Sequence, residues 1–201
     1  MNTALVPVGS TAIVPVNRIG VAGLDHLDES DVALPYIRVV QPTSSECSLM
    51  DGGEAKGGQF YDTALRVARN ELFFSILSVA KFQVVWQEGK DPQTIYLVLA
   101  ADQDLWPFVL KVSGTSVFAL KSLTASLLHL GAPVSWAYKV RAVTEKREST
   151  KDGQPRKWFA IRFYILGEND DEAVHKLTEM AGKFSLFAEN ALPPLEPDEI
   201  S

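Results

Sequence analysis

The chain has 201 residues, a formal net charge of −6 and 46% hydrophobic residues, which is enough apolar material for one substantial core. Its single cysteine, Cys47, excludes an internal disulfide framework and any metal site built from several cysteines. No stretch approaches the roughly 20 apolar residues that a membrane span requires, and no charged start followed by an apolar run opens the sequence. We therefore expect a cytoplasmic protein without a membrane partner.

The charges are unevenly distributed along the chain. Residues 1–61 contain three basic and seven acidic side chains, residues 62–165 contain fourteen and nine, and residues 166–201 contain two and nine. The middle of the chain is therefore basic, while both ends are acidic. This layout suits a core that holds a polyanion and an acidic tail that stays free for other partners.

Composition divides the chain into three parts. Residues 1–33 mix Val, Pro, Gly, Ala and Thr without a sustained period, which predicts a disordered N-terminal arm. Residues 189–201 combine acidic side chains with three prolines, which predicts an acidic, Pro-rich tail without regular structure. Residues 34–188 are predicted to form a single domain.

Apolar periodicity makes this domain mainly β. Strands are predicted at 34–42, 60–67, 72–86, 94–100, 106–112, 134–141 and 158–165. The first is bracketed by prolines, which favours an edge strand or an extended stretch laid on the domain, and the length of 72–86 favours a strongly bent strand. Helices are predicted at 116–130, where Gly131 provides a stop, and at 173–187 after an acidic start.

The last two predicted strands carry the most informative pattern. In the first, Trp136 and Tyr138 share an apolar face with valines, and we assign both to the core; in the second, Trp158 and Tyr164 lie opposite the apolar face, beside cations. The connection at 146–157 is predicted to be a basic, mobile loop. Cations beside exposed rings suit single-stranded nucleic acid, because phosphates attract Lys and Arg and unstacked bases stack on flat rings. The second side of a half-covered sheet with a solvated loop produces the same pattern.

The order of these elements predicts a fold. Strands, one helix and then two strands joined by a long connection match a five-stranded Greek-key barrel of the OB type, with the helix between strands three and four. A C-terminal helix would pack against the barrel. That fold holds its ligand with the loops joining strands one to two and four to five, and the basic segment falls on the latter connection. An SH3-like barrel and a β-sandwich are the alternatives.

The sequence contains little that suggests catalysis. None of the three histidines has ligand partners at metal-binding spacing, and Cys47 has no adjacent base. Asp102 and Asp104 have the spacing of a two-carboxylate metal site, although a turn between strands explains them equally well. We therefore expect a protein that is not an enzyme and uses no cofactor, with a metal-dependent nuclease acting through these aspartates as the enzymatic alternative.

Several short segments resemble the single-stranded DNA-binding proteins of bacteriophages and prophages. They are Leu-Pro-Tyr-Ile-Arg-Val-Val-Gln at 34–41 with Ser45 and Glu46 soon after, Gly-Gln-Phe-Tyr at 58–61, Val-Val-Trp at 84–86, and Leu-Lys-Val-Ser-Gly-Thr-Ser at 110–116 followed by the helix and Gly-Ala-Pro at 131–133. Together they span most of residues 34–166. The resemblance implies an OB-fold protein that coats single-stranded DNA during phage replication or recombination, in the cytoplasm of the host cell. The acidic tail resembles those of such proteins, which suggests docking of replication or recombination proteins, but it lacks the terminal aromatic residue common in the bacterial ones.

Thirteen residues are predicted to contact single-stranded DNA without strong sequence preference. Phosphates would be neutralised by the cations of the hairpin, which are Lys139, Arg141, Arg147, Lys151, Arg156, Lys157 and Arg162. Bases would stack on Trp158 and Tyr164, and the track would be extended by Arg66, Arg69, Lys81 and Trp86. The competing hypothesis is a protein-interaction module, such as an inhibitor of host machinery, that uses the same hairpin against an acidic protein surface. The sequence specifies no oligomer interface, although single-stranded DNA binders often oligomerise to increase their grip.

Overall fold

The structure is a computed structural model that describes residues 34–44, 55–85, 91–151 and 154–184. Its strands are β1 (Tyr36–Val39), β2 (Phe60–Asp62), β3 (Val67–Arg69), β4 (Glu71–Val84), β5 (Gln93–Asp102), β6 (Pro107–Ser113), β7 (Tyr138–Lys151) and β8 (Gln154–Glu168). Its helices are α1 (Ser116–His129) and α2 (Asp171–Lys183), and one turn of 3₁₀ helix spans Ser135–Ala137. The mainly β class is confirmed. The predicted N-terminal arm and acidic tail lie outside the described residues.

The eight strands form one mixed sheet that curls into a half-barrel. Their order is β3-β2-β1-β6-β5-β4-β7-β8, and every neighbouring pair is antiparallel except β1 and β6, which are parallel. The sequence predicted seven strands, and the structure has eight because the segment predicted at 60–67 divides into β2 and β3. The strands β1, β2 and β3 continue the sheet beyond β6, so the sheet is not clearly the five-stranded Greek key expected of an OB fold. Because β1 lies between β2 and β6, the prediction of an edge strand there is wrong. Its prolines, Pro35 and Pro42, flank the four paired residues and so leave the ladder intact.

The long strand β4 contains one irregularity. Its register against β5 shifts between Ile76 and Ser78, which marks an irregularity of the β-bulge type. Before the shift, Phe74 and Ile76 point into one core cluster; after it, Ala80 and Phe82 point into another. One extra residue inverts the alternation of a strand, so a single strand supplies apolar side chains to both faces of the sheet.

Each face of the sheet is covered by one helix. The helix α1 buries Leu120, Leu123 and Leu127 in the first core cluster, at the spacing expected of one helical face. The helix α2 buries Leu177 in the second cluster and begins at Asp170, whose carboxylate accepts a 2.8 Å hydrogen bond from the Ala173 amide. Both predicted helices therefore exist, and the acidic residues before α2 provide its N-cap.

The predicted basic loop at 146–157 is wrong. Residues 146–151 of β7 pair with residues 154–159 of β8, from Lys146 opposite Phe159 to Lys151 opposite Gln154. Only two residues, Asp152 and Gly153, separate the strands, and Asp-Gly is a dipeptide favoured in two-residue hairpins. Charged side chains on both faces of this segment conceal the period-two signal. The cations are consequently held on a β-ladder.

Side-chain hydrogen bonds tie the outer edge of β8 back to the rest of the sheet. The Gln41 amide accepts from the Phe159 backbone N–H at 2.9 Å and donates to the Phe159 carbonyl at 3.0 Å. The Ser116 hydroxyl accepts from the Ile161 N–H at 2.9 Å, and the Thr144 hydroxyl donates to the Gly58 carbonyl. The contacts made by Phe159 and Ile161 cover two positions of an edge that would otherwise expose unpaired donors and acceptors, while the bond from Thr144 joins β7 to the segment before β2. They also draw β8 towards β1 and the start of α1.

Candidate functional site

A cleft of about 360 Å³ opens where β8 approaches β1, β6 and the start of α1. We call it the cationic cleft. Its principal side chains are Arg38, Lys111, Arg156, Lys157, Trp158 and Phe159. None of the described residues that line the cleft is acidic. Its volume lies within the roughly 300–1,000 Å³ typical of small-molecule sites, at the lower end.

Strand register brings two of these cations together. Ile37 of β1 is opposite Leu110 of β6 in the parallel ladder. Arg38 and Lys111 are the next residue along each strand, so they lie side by side on the same face of the sheet. Lys111 lies in an otherwise apolar strand and is only 5% exposed, which is unusual for a charged side chain. Lys111 nevertheless contributes to the lining of the cleft, and a lysine can bury its aliphatic stem while its ammonium stays at a polar opening.

The opposite wall of the cleft comes from β8. Arg156, Lys157, Trp158 and Phe159 are consecutive residues of β8, the last strand of the sheet order, and all four contribute to the lining of the cleft. The Trp158 indole N–H donates a 3.0 Å hydrogen bond to the Thr115 hydroxyl, just before α1 begins. This bond fixes the plane of a partly buried indole ring at the side of the cleft. A held ring beside four cations offers a stacking surface and phosphate partners in one place.

The outer face of the hairpin carries further charges, most of them paired. Arg147 and Arg162 both contact Oε2 of Glu145, at 2.9 and 2.5 Å. The hydrogen bond from Arg162, reinforced by the charge of Arg147, lowers the pKa of Glu145. A hydrogen bond from Lys146 likewise lowers the pKa of Glu148. This face therefore has two guanidinium groups for one central carboxylate, and the carboxylate stays ionised at neutral pH.

The predicted contact residues separate into distinct places. Arg156, Lys157 and Trp158 line the cationic cleft, and Arg147 and Arg162 lie beside a smaller cavity on the far side of Trp158.

The other hairpin residues lie towards the opposite end of the ladder. Arg141 forms a 2.7 Å ion pair with Glu71 and lies opposite the exposed Tyr164. Lys139 borders a separate cavity that Asp102 and Asp170 also line. None of these side chains reaches the cleft.

The remaining predicted residues are dispersed. Arg66 lies in the turn after β2, Arg69 in β3 and Lys81 in β4, and none of the three lines the cleft. Lys151 pairs with Gln154 in the ladder. Trp86 lies outside the described residues. The predicted extension of the track through the first hairpin is therefore not assembled at the cleft.

Sequence reasoning missed Arg38 and Lys111. Lys111 had a detectable signal, because it is the only charged residue in the apolar strand Pro-Phe-Val-Leu-Lys-Val-Ser. A charge at a position that periodicity marks as buried is a candidate for function. Arg38 had no such signal, since its role depends on a pairing between segments far apart in the chain.

Trp136 and Tyr138 both pack against the core, as predicted, but each packs against a different core cluster. The 3₁₀ turn interrupts the predicted strand, so the period-two relation between them is lost. Trp136 packs against the second cluster, and its indole donates to Thr178 at 3.0 Å. Tyr138 packs against the first, and its pKa is raised by desolvation and by the bond from its hydroxyl to Glu168.

The aspartates considered as metal ligands organise a turn. Asp102 Oδ1 accepts from the amides of Asp104 and Trp106, at 3.0 and 2.9 Å. This is the turn explanation that the sequence offered as the alternative. Within the described ranges, no cluster of three or more His, Cys, Asp or Glu side chains has an arrangement that could hold a metal ion. Cys47 lies outside those ranges.

Comparison with protein-family models, with curated proteins and with solved structures gives no significant match. Neither helix among the described residues is long and apolar enough to cross a membrane.

Proposed function

We propose that this protein binds single-stranded DNA, with little sequence preference and without catalysing a reaction on it. The observation that carries the proposal is the cationic cleft, which is lined by Arg38, Lys111, Arg156 and Lys157 together with the ring of Trp158, held by a hydrogen bond. Phosphates require cations, and unpaired bases require an accessible flat ring. Among the described lining residues, only basic side chains are charged, which suits a polyanion.

The topology supports a relation to OB folds. Strands β4–β8 have the order β6-β5-β4-β7-β8, and α1 lies between the third and fourth of them in the chain. We propose that these five strands are an OB-like core to which β1, β2 and β3 have been added beyond β6. The cleft then lies between the hairpin β7–β8 and the added edge, where OB folds also use strand faces and loops for oligonucleotides.

The cellular role follows from the resemblance of several segments to phage and prophage proteins. We propose that the protein coats single-stranded DNA during phage replication or recombination, in the cytoplasm of the host. Replication or recombination proteins would dock on the acidic C-terminal tail.

The test is a titration with oligo-dT of about 20 nucleotides, followed by tryptophan fluorescence, with a duplex of equal length as the control. We expect quenching by the single strand that weakens with salt. Trp158→Ala should lower the affinity by about 1–3 kcal/mol, which is the usual loss for one stacked base. Trp158→Phe retains a ring without the bond to Thr115 and should lie between the two.

Trp106 provides a matched control for Trp158. It is 72% exposed and does not line the cationic cleft, so Trp106→Ala removes a fluorophore without changing the proposed site. We expect unchanged affinity for this variant. Absence of binding to oligo-dT by the native protein at low salt would overturn the proposed function.

A protein-interaction module is the second candidate. It is favoured by large apolar side chains on the surface away from the cleft, among them Trp106 at 72% and Leu128 at 75% exposure. This candidate predicts no quenching by oligo-dT. The same titration therefore separates the two functions.

A further inference from the structure

A second cavity lies on the other side of Trp158. It has a volume of about 260 Å³ and is lined by Phe118 and Ala119 of α1 together with Arg147, Trp158, Ala160 and Arg162 of the hairpin. Thr115, Trp158 and Ile161 line both this cavity and the cationic cleft. The indole that Thr115 holds is thus a wall shared by two neighbouring cavities.

Phe118 is an unusual residue for its position. The buried face of α1 is formed by Ser116, Leu120, Leu123 and Leu127, and Phe118 lies off that face with 77% of its surface exposed. An exposed phenyl ring costs free energy in water unless something covers it. Here the ring borders a cavity that already contains an indole, so two aromatic groups line the same space.

The charges beside this cavity suit a phosphate. Arg147 and Arg162 share a single carboxylate oxygen of Glu145, and their side chains remain 41% and 46% exposed. Two guanidinium groups and one carboxylate leave a net positive charge. Each guanidinium carries five N–H donors in a planar fork, so binding to one shared oxygen orients the group and leaves donors for a phosphate.

We propose that the second cavity takes the nucleotide next to the one held in the cationic cleft, with its base against Phe118 and its phosphate at Arg147 and Arg162. This inference rests on the proposed function and makes it more specific. The strand would pass over Trp158, with one nucleotide on each side of the indole. Phe118 then becomes a base-contacting residue that neither the sequence pattern nor the hairpin alone identified.

The experiment compares Phe118→Ala with Leu128→Ala in binding to labelled oligo-dT. Leu128 is the matched control, since it is exposed to the same extent, at 75%, near the other end of α1. We expect Phe118→Ala to weaken binding about fivefold or more, the lower limit for loss of one stacked base, and Leu128→Ala to leave it unchanged. Thermal unfolding of both variants verifies that the fold is intact.

Photocrosslinking gives a second readout. Oligo-dT that carries 5-iodouracil at one internal position should form adducts with both Trp158 and Phe118 in the native protein, mapped by mass spectrometry. If Trp158→Ala weakens binding while Phe118→Ala does not and Phe118 forms no adduct, the second cavity is not a nucleotide site and the proposed function stands. If the native protein does not bind oligo-dT at low salt, the proposed function and this inference both fail.

Discussion

Removing the two β8 cations from the cleft should reduce the salt dependence of DNA binding by a defined amount. Four basic side chains line the cleft, Arg38, Lys111, Arg156 and Lys157. If each neutralises one phosphate, they contribute about −2.8 to the slope of log K against log salt, at about 0.7 per phosphate for a single strand. That contribution weakens binding about 50-fold between about 50 and 200 mM salt. The double variant Arg156→Ala with Lys157→Ala should reduce it to about −1.4, or about 7-fold over the same range.

The assay is fluorescence anisotropy of labelled oligo-dT at a series of salt concentrations. The control is Arg69→Ala with Lys81→Ala, which removes the same charge from two exposed residues outside the cleft. The control variant should keep the native slope of log K against log salt, whereas the slope of the cleft variant should be about 1.4 shallower than the native one. This difference does not depend on how much other cations of the protein contribute to the native slope. An equal reduction in both double variants would refute the reasoning, because the DNA would then respond to net charge and not to the cleft.

Two further variants test the surroundings of the cleft. Gly58 has φ +89°, and a Cβ there would lie 2.7 Å from the Phe159 ring, so Gly58→Ala should destabilise the fold by roughly 1–2 kcal/mol from the backbone alone, plus the clash. An unchanged urea midpoint would contradict this. The pKa of Glu145 is lowered from 4.5, so its contribution to stability is present above that value and is lost as the pH falls through the lowered pKa. The Glu145 carboxylate also competes with a phosphate for Arg147 and Arg162, so Glu145→Gln should tighten oligo-dT binding at pH 7. Because the carboxylate stays ionised between about pH 6 and 8, the affinity of the native protein should not change in that range through this group. Equal affinity of variant and native protein would show that the carboxylate does not compete with DNA.

Local periodicity predicted the elements that long apolar patterns specify. The helix expected at 116–130 is α1, Ser116–His129, because leucines at helical spacing and a following Gly131 leave little choice. The strands β5 and β6 also lie within two residues of their predicted bounds. A helix or strand that buries one face repeats its apolar residues with a fixed period, so such an element can be predicted from its own segment of the sequence.

The short strands could not be predicted in the same way. The sequence favoured one strand over 60–67, but the structure divides it into β2 and β3 around a turn. Asp62 drives that division, since its buried carboxylate accepts hydrogen bonds from the amides of Ala64 and Leu65. The parallel pairing of β1 with β6 joins segments about 70 residues apart, and no local pattern records such a partner.

The site was predicted only where it is local. Arg156, Lys157 and Trp158 are consecutive, so a reading of the hairpin found them together. Arg38 and Lys111 enter the cleft through strand register, which the sequence does not reveal. Conversely, Arg141 was included because it shares the hairpin, although its ion pair with Glu71 lies away from the cleft. Composition identifies how many cations a segment has, and the fold decides which of them converge.

A net charge of −6 is compatible with a polyanion site if the opposite charges are kept apart. Screening limits the reach of an exposed charge to about 8 Å at physiological ionic strength. The cleft is built on β1, β6 and β8, whereas α2, which begins with Asp171 and Glu172, packs through Leu177 into the second core cluster, beside β4 and the 3₁₀ turn. A phosphate in the cleft therefore experiences the four cations that line it, with Glu148, which lies opposite Lys157 in the ladder, as the acidic neighbour of one of them. The total charge describes the behaviour of the chain at long range, while the placement of a few side chains by strand register decides what it holds at contact distance.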